Sequence, residues 1–231
     1  MFTVSDTWKT TYPEATAGVL VIHNVSNPIH NTELDKCKEE LERELRSRYG
    51  DIERSSLKKT EPLTAYERYF KRFSKTYHLQ HQLESIVLKG NLIPRIAALV
   101  ESMFMAELKN LLLTAGHDLD KLRLPIALDI ARGGEKYICL NGEKQVLKSG
   151  DMRIADKVGI ISSILFGPDN RTKITHGTKH VLFTVYGVPG IDCEKIYRHL
   201  KDIEAYILVI APEAEVKLLE VYSTSQIYKP I

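Results

Sequence analysis

Cysteine is scarce in this 231-residue chain: only Cys37, Cys139 and Cys193 occur, far apart in sequence. There is no CxxC pair, which argues against a zinc ribbon. An odd number of widely spaced cysteines suits the reduced thiols of a cytosol. An excess of one charge is missing too. Lys and Arg number 32 against 30 Asp and Glu, a net charge of +2. Any nucleic-acid contact must therefore come from a local basic cluster. No apolar run reaches the length of a membrane span. The opening stretch, MFTVSDTWKTTYPEA, lacks the basic and then apolar regions of a signal peptide. A soluble, cytoplasmic protein is expected. There is no internal repeat and no low-complexity tract.

What is present is a globular balance, 43% hydrophobic and 27% charged, enough for a sizeable core in one large domain or two small ones. Ala17–Val25 is apolar and β-branched and ends at Ser26-Asn27-Pro28, the pattern of a buried strand closed by a turn. Asn31 or Thr32 caps a helix over Thr32–Tyr49, stopped by Gly50. Asp51–Glu61 is polar and reads as a loop. Further helices are expected over Ala65–Phe73, Leu79–Lys89 and Arg95–Thr114, with Gly90 and Gly116 as their C-terminal glycines and Pro94 at a first helical position. From Leu124 the character changes. Short apolar runs (PIALDIA, KYICL, KQVLK, MRIAD, GIISSILFG, HVLFTVYGV) alternate with the turn signals GGE, NGE, SGD and GPDN. Asp192 then caps a helix to Ile210, and Glu215–Tyr222 reads as a last strand. Helices grouped first and strands second give an α+β class, with a β-sandwich-like core over Leu124–Tyr186.

The segment from Tyr66 to His78 interleaves basic residues with five aromatics. Positions 66, 69, 70, 73 and 77 fall on one side of a helix, which makes the aromatics a core face. Arg68, Lys71, Arg72 and Lys75 are then left on the wet side as candidate phosphate contacts, while stacking of the aromatics on bases is the competing pattern. His78 and His81 have a spacing that permits a metal pair, but no third ligand accompanies them. Glu135, Asp151, Asp156 and Asp169 adjoin turns, where carboxylates cap backbone N–H groups. No metal and no cofactor is expected.

The pieces GHDLDKL, GGEKYICLNGEKQVLKSGDMRIADKVGIISSILFGPDNRT and TKHVLFTVYG carry a further signal in their order and spacing. Together they resemble the editing and tRNA-binding domain of the β subunit of bacterial phenylalanyl-tRNA synthetase. The resemblance covers about Tyr77 to Gly187 and implies a β-sandwich of unusual topology flanked by helices. It divides the chain into an N-terminal strand and helices (1–76), the synthetase-like domain (77–190) and a C-terminal helix and strand (191–231) joined to it. In the synthetase this domain hydrolyses tyrosine wrongly attached to the phenylalanine tRNA, because a phenylalanine pocket discriminates poorly against an added hydroxyl. Here the family's His falls at Ala115, and Thr184 replaces the Glu that reads the tyrosine hydroxyl. The pocket-wall segment becomes Phe166-Gly167-Pro168-Asp169, preceded by Ser162 and Ser163.

The resemblance thus implies a pocket near His117, Ser163 and Thr184. His117 with Asp118 and Asp120 has the makings of a general base held by a carboxylate, against the simpler pattern of a helix C-cap at Gly116. No Gly-x-Ser-x-Gly elbow surrounds Ser162 or Ser163, so these hydroxyls are read as packing or recognition groups. The function expected is that of a free-standing, RNA-associated homologue, a deacylase of mischarged aminoacyl-tRNA. Its partner is tRNA, with no DNA or membrane partner. The alternative is a binding or sensor protein for a small amino-acid-like ligand, without catalysis.

Overall fold

The computed structural model describes residues 2–50 and 60–228. Most of the loop expected at Asp51–Glu61 lies outside them. The architecture is α+β: two five-stranded sheets face each other, with helices around them. The first sheet runs β1 (Phe2–Val4), β4 (Ile126–Ile130), β7 (Met152–Ala155), β8 (Ile160–Ser163) and β9 (Gly167–Pro168). The second runs β12 (Ile227–Tyr228), β11 (Glu215–Ser223), β2 (Thr16–His23), β10 (His180–Gly187) and β3 (Thr114–Asp118). Among the described residues only the β1–β4 pair is parallel. A separate hairpin pairs β5 (Lys136–Ile138) with β6 (Lys144–Val146). The Ser162 Oγ–Tyr186 Oη contact, 2.5 Å, links β8 of one sheet to β10 of the other.

The sandwich is therefore not confined to Leu124–Tyr186, as the sequence pattern had it. β2, from the N-terminal part, sits between β10 and β11. Val19, Leu20, Val21 and Ile22 are all buried. A strand apolar on both faces needs a partner on each edge and a layer on each side, which only a central position supplies. β1 and the short helix α1 (Asp6–Thr11) were not legible, since neither is long enough to show a period.

Helix α2 spans Thr32–Tyr49, with the Asn31 side chain accepting the Leu34 N–H at 2.9 Å. α3 covers Leu63–Lys71 and α4 Leu79–Val87. α6 covers Cys193–Ile210 behind its Asp192 cap. Its Ile196, Leu200, Ile203 and Ile207 are fully enclosed, each contributing roughly 1.5–3 kcal/mol by burial.

The helix expected over Arg95–Thr114 is shorter at both ends: α5 spans Ala98–Asn110. At its start, side chains capture the backbone N–H groups. Glu101 accepts from Ile96 and Asn27 accepts from Leu99. At its end Leu111 takes the left-handed conformation, φ 59°, and the chain turns into β3. Gly116 is thus a strand residue and not a helix cap. Its missing side chain leaves room for Ile174, Phe183 and Met103, whose atoms would lie 2.9–3.3 Å from a Cβ there.

Candidate functional site

A cavity of about 340 Å³ opens where α5, the start of β3, the β8–β9 turn and β10 meet. That is the small end of the range for ligand pockets. α5 contributes Met103 and Glu107. The chain into β3 contributes Leu113, Thr114 and Ala115, and β10 contributes Tyr186. The β8–β9 turn gives Ser163 through Pro168, with Leu140 from the β5–β6 hairpin and His78 at the N-terminus of α4. The turn is possible because Gly167 holds φ +75°, which side chains resist. Tyr137 Oη donates to the Gly167 carbonyl at 2.7 Å and fixes that turn to the hairpin.

Of the three residues assigned to the pocket from the resemblance, Ser163 lines it; His117 and Thr184 do not. Thr184 lies directly opposite Ala115 in the β3–β10 register, and its hydroxyl donates to the Ala115 carbonyl at 3.5 Å. His117 is wholly buried further along β3, with Nδ1 2.8 Å from Thr172 Oγ1, and Thr172 in turn bonds Asp169. Among the described residues its Nε2 has no hydrogen-bond partner. Burial, assisted by the nearby Arg171 charge, pushes this imidazole down to about 3. It stays neutral and out of reach of solvent. Asp118 accepts the Thr178 hydroxyl and caps Asp120, so the His-Asp pairing read as a possible base is not formed.

The main polar group of the cavity was missed in the sequence. Glu107 is 6% exposed, and its Oε1 accepts the Thr114 N–H at 2.7 Å. Burial pushes its carboxyl up to about 8, against the lowering effect of that hydrogen bond. The signal was its place four residues after Met103 and eight after Leu99, on the apolar face of α5. Nearby, Thr114 Oγ1 lies 2.7 Å from His199 Nε2, and burial pushes His199 down to about 4.

The basic segment comes to this cavity at Lys75. Arg68, Lys71, Arg72 and Lys75 are all exposed, while Tyr66, Tyr69, Phe70, Phe73 and Tyr77 are buried. The aromatics are core, stacked on one another (Tyr66 on Tyr77, centroids 4.6 Å apart), and so are not platforms for bases. Arg72 lies over the Tyr12 ring at 5.0 Å, and Lys71 pairs with Glu67 at 3.0 Å. Lys75 Nζ stands 5.0 Å from the centre of the Phe166 ring, and Phe166 lines the cavity. No cluster of metal-binding side chains occurs among the described residues. Nor is any helix among them long and apolar enough to cross a membrane.

Comparison with known proteins gives a family match and likenesses to solved structures. The family model of the B3/4 domain matches residues 64–223. In fold, the chain is similar to an N-terminal fragment of the phenylalanyl-tRNA synthetase β subunit from Pyrococcus horikoshii, with a TM-score of 0.53 and 12% identity. The similarity covers 99% of this chain and 53% of that one, so this chain spans about half its length. No curated protein matches.

Proposed function

The chain belongs to the B3/4 domain family, and on that premise we propose that it is an RNA-associated protein that receives the aminoacylated end of a tRNA. The observation that carries this reading is the position of the cavity. Ala115, Gly167 and Pro168, which the resemblance puts in the synthetase pocket, are among the residues around it, and the cationic run ends at its rim, where Lys75 meets Phe166. In this reading Arg68, Lys71, Arg72 and Lys75 take the phosphates of the acceptor end while the cavity takes the aminoacyl group. Phosphate contacts supply affinity and orientation without reading sequence. A pocket for a free metabolite has no need of such a cationic approach.

Hydrolysis of the ester is the finer part of the proposal. His117 is enclosed, and the groups beside the lining hydroxyls, His199 next to Thr114 and Asp151 next to Ser163, are themselves wholly buried. The reaction then rests on holding a water against the ester carbonyl, aided by the neighbouring ribose hydroxyl of the RNA. With Ala115 and Thr184 at the family's His and Glu positions, a preference for tyrosine is not carried over. The test is deacylation of a panel of mischarged tRNAs by the purified protein. At least one ester is expected to be lost faster than in buffer. Survival of the whole panel, with tRNA bound, would leave a binding protein and remove the hydrolase.

A further inference from the structure

The charges in the lining of the cavity are one-sided, while Lys75 stands outside it against the Phe166 ring. Among the described residues Glu107 is the one carboxyl in its wall, and no Lys or Arg lines it. The groups packed about Glu107 bring no positive charge at neutral pH. Tyr66 of α3 accepts the Leu113 N–H and donates to the Tyr186 carbonyl. Tyr77, just before α4, has a hydroxyl with no partner among the described residues. Tyr186 of β10 is bonded to Ser162. His199 of α6 is held neutral by burial, and His78 is lowered by burial and by the neighbouring His81. The backbone is no anion cradle either: in the β8–β9 turn the Ile164 N–H already bonds the Met152 carbonyl and the Phe166 N–H bonds Ser163 Oγ. Such a wall can neutralise a cation but leaves an anion without a partner, and an unpaired buried charge is costly.

A free amino acid brings both charges. Once its carboxyl is esterified it brings only the ammonium. Met103, Leu113, Ile164, Leu165 and Phe166 complete the lining and suit an apolar side chain. We propose that the cavity selects amino acids whose carboxyl is esterified or amidated, and that Glu107 is the residue that pairs with their α-ammonium. The inference rests on the reading of the cavity as the aminoacyl site, and it deepens it. Near pH 6.5 the ligand's α-amino group is protonated. Glu107, lifted to about 8 by burial, is protonated as well in the empty cavity. Forming the ammonium–carboxylate pair therefore sends the Glu107 proton to solvent, and binding releases up to one proton.

The experiment is calorimetric titration of the whole chain near pH 6.5, in two buffers of different ionisation enthalpy. The probes are phenylalaninamide, free phenylalanine and N-acetylphenylalaninamide. The amide is expected to bind with release of nearly one proton, and the other two at least about tenfold more weakly, a difference of 1.4 kcal/mol or more. Glu107→Gln should weaken the amide by a similar factor and abolish the proton release. The proton count is taken on the unaltered protein, so the result does not depend on how the variant folds. Amide binding without proton release, free phenylalanine binding as tightly, or no probe binding at all would each overturn the proposal. Retention of uncharged tRNA by the same preparation separates the two ideas. Retention of tRNA without proton-linked amide binding defeats the Glu107 assignment alone. Proton-linked amide binding without tRNA retention defeats the RNA reading alone.

Discussion

At the scale of single residues, the buried ionisable groups make the clearest commitments. Glu107 keeps its proton in the fold up to about pH 8, from an ordinary value of 4.5. Between those values the folded chain holds a proton that the unfolded chain has given up. The stability this group contributes is thus fully present below about 4.5 and is lost as pH rises toward 8. Glutamine keeps the acceptor for the Thr114 N–H and cannot ionise. The melting temperature of Glu107→Gln minus that of the unaltered protein should therefore grow from pH 5 to pH 8. His117, His199 and Asp151 titrate alike in both proteins and cancel from the difference. Thermal melts at four pH values check this, and a difference constant with pH contradicts it. Tyr77 gives a second residue-scale expectation. It is 2% exposed and stacked on Tyr66, so Tyr77→Ala should cost about 3–5 kcal/mol, as deletion of a buried aromatic does. Chemical denaturation reads that loss. A near-neutral effect would return Tyr77 to the surface and to base stacking. Residues of this kind were poorly legible in the sequence. A glutamate in a helix normally means water, and only the packing of β3 and α4 against α5 makes Glu107 a cavity wall.

At the scale of elements, the periodicity carried most of the reading. α2 and α6 begin where Asn31 and Asp192 put them, because local capping decides those starts. α5 was misjudged for the opposite reason. Its limits are set by remote partners: Asn27 at the start, and the pairing of β3 with β10 at the end. Ala115 and His117, which the sequence put just past the helix end, are strand residues in the fold, and His117 lies outside the cavity. The contact of α6 on β2 gives a test of the element packing. A Cβ on Gly18 would lie 2.5 Å from Ile196 Cγ2 and 3.1 Å from Leu200 Cδ1. Gly18→Ala should then destabilise by about 1–3 kcal/mol, the usual cost of overpacking. Denaturant midpoints with an unchanged slope are the expected record, and a stabilised variant would show that the helix sits further from the sheet.

At the scale of the whole molecule, strands from both ends of the chain meet in one sheet, with β2 between β10 and β11. The cavity lies at the β3 end of that sheet, between α5 and the β8–β9 turn, with Lys75 of the basic run beside it. The sequence showed the basic run and the motifs around the β8–β9 turn, but not their meeting. Lys75 and Phe166 are 91 positions apart in the chain and come together only in the fold. That meeting is the central claim, and the salt dependence of tRNA binding tests it most directly. Each phosphate contact releases counterions, so affinity should fall steeply as salt rises. The combined change of Arg68, Lys71, Arg72 and Lys75 to Ala removes up to four contacts. It should make the slope of log affinity against log salt shallower by about 3, at roughly 0.7–0.9 per contact. All four side chains are exposed, so the variant should stay folded, short of about 0.5–1 kcal/mol from the Arg72–Tyr12 contact. A shallower slope in a folded variant is the predicted result. Equal slopes for the two proteins, or no tRNA binding by the unaltered protein at physiological salt, would contradict the account.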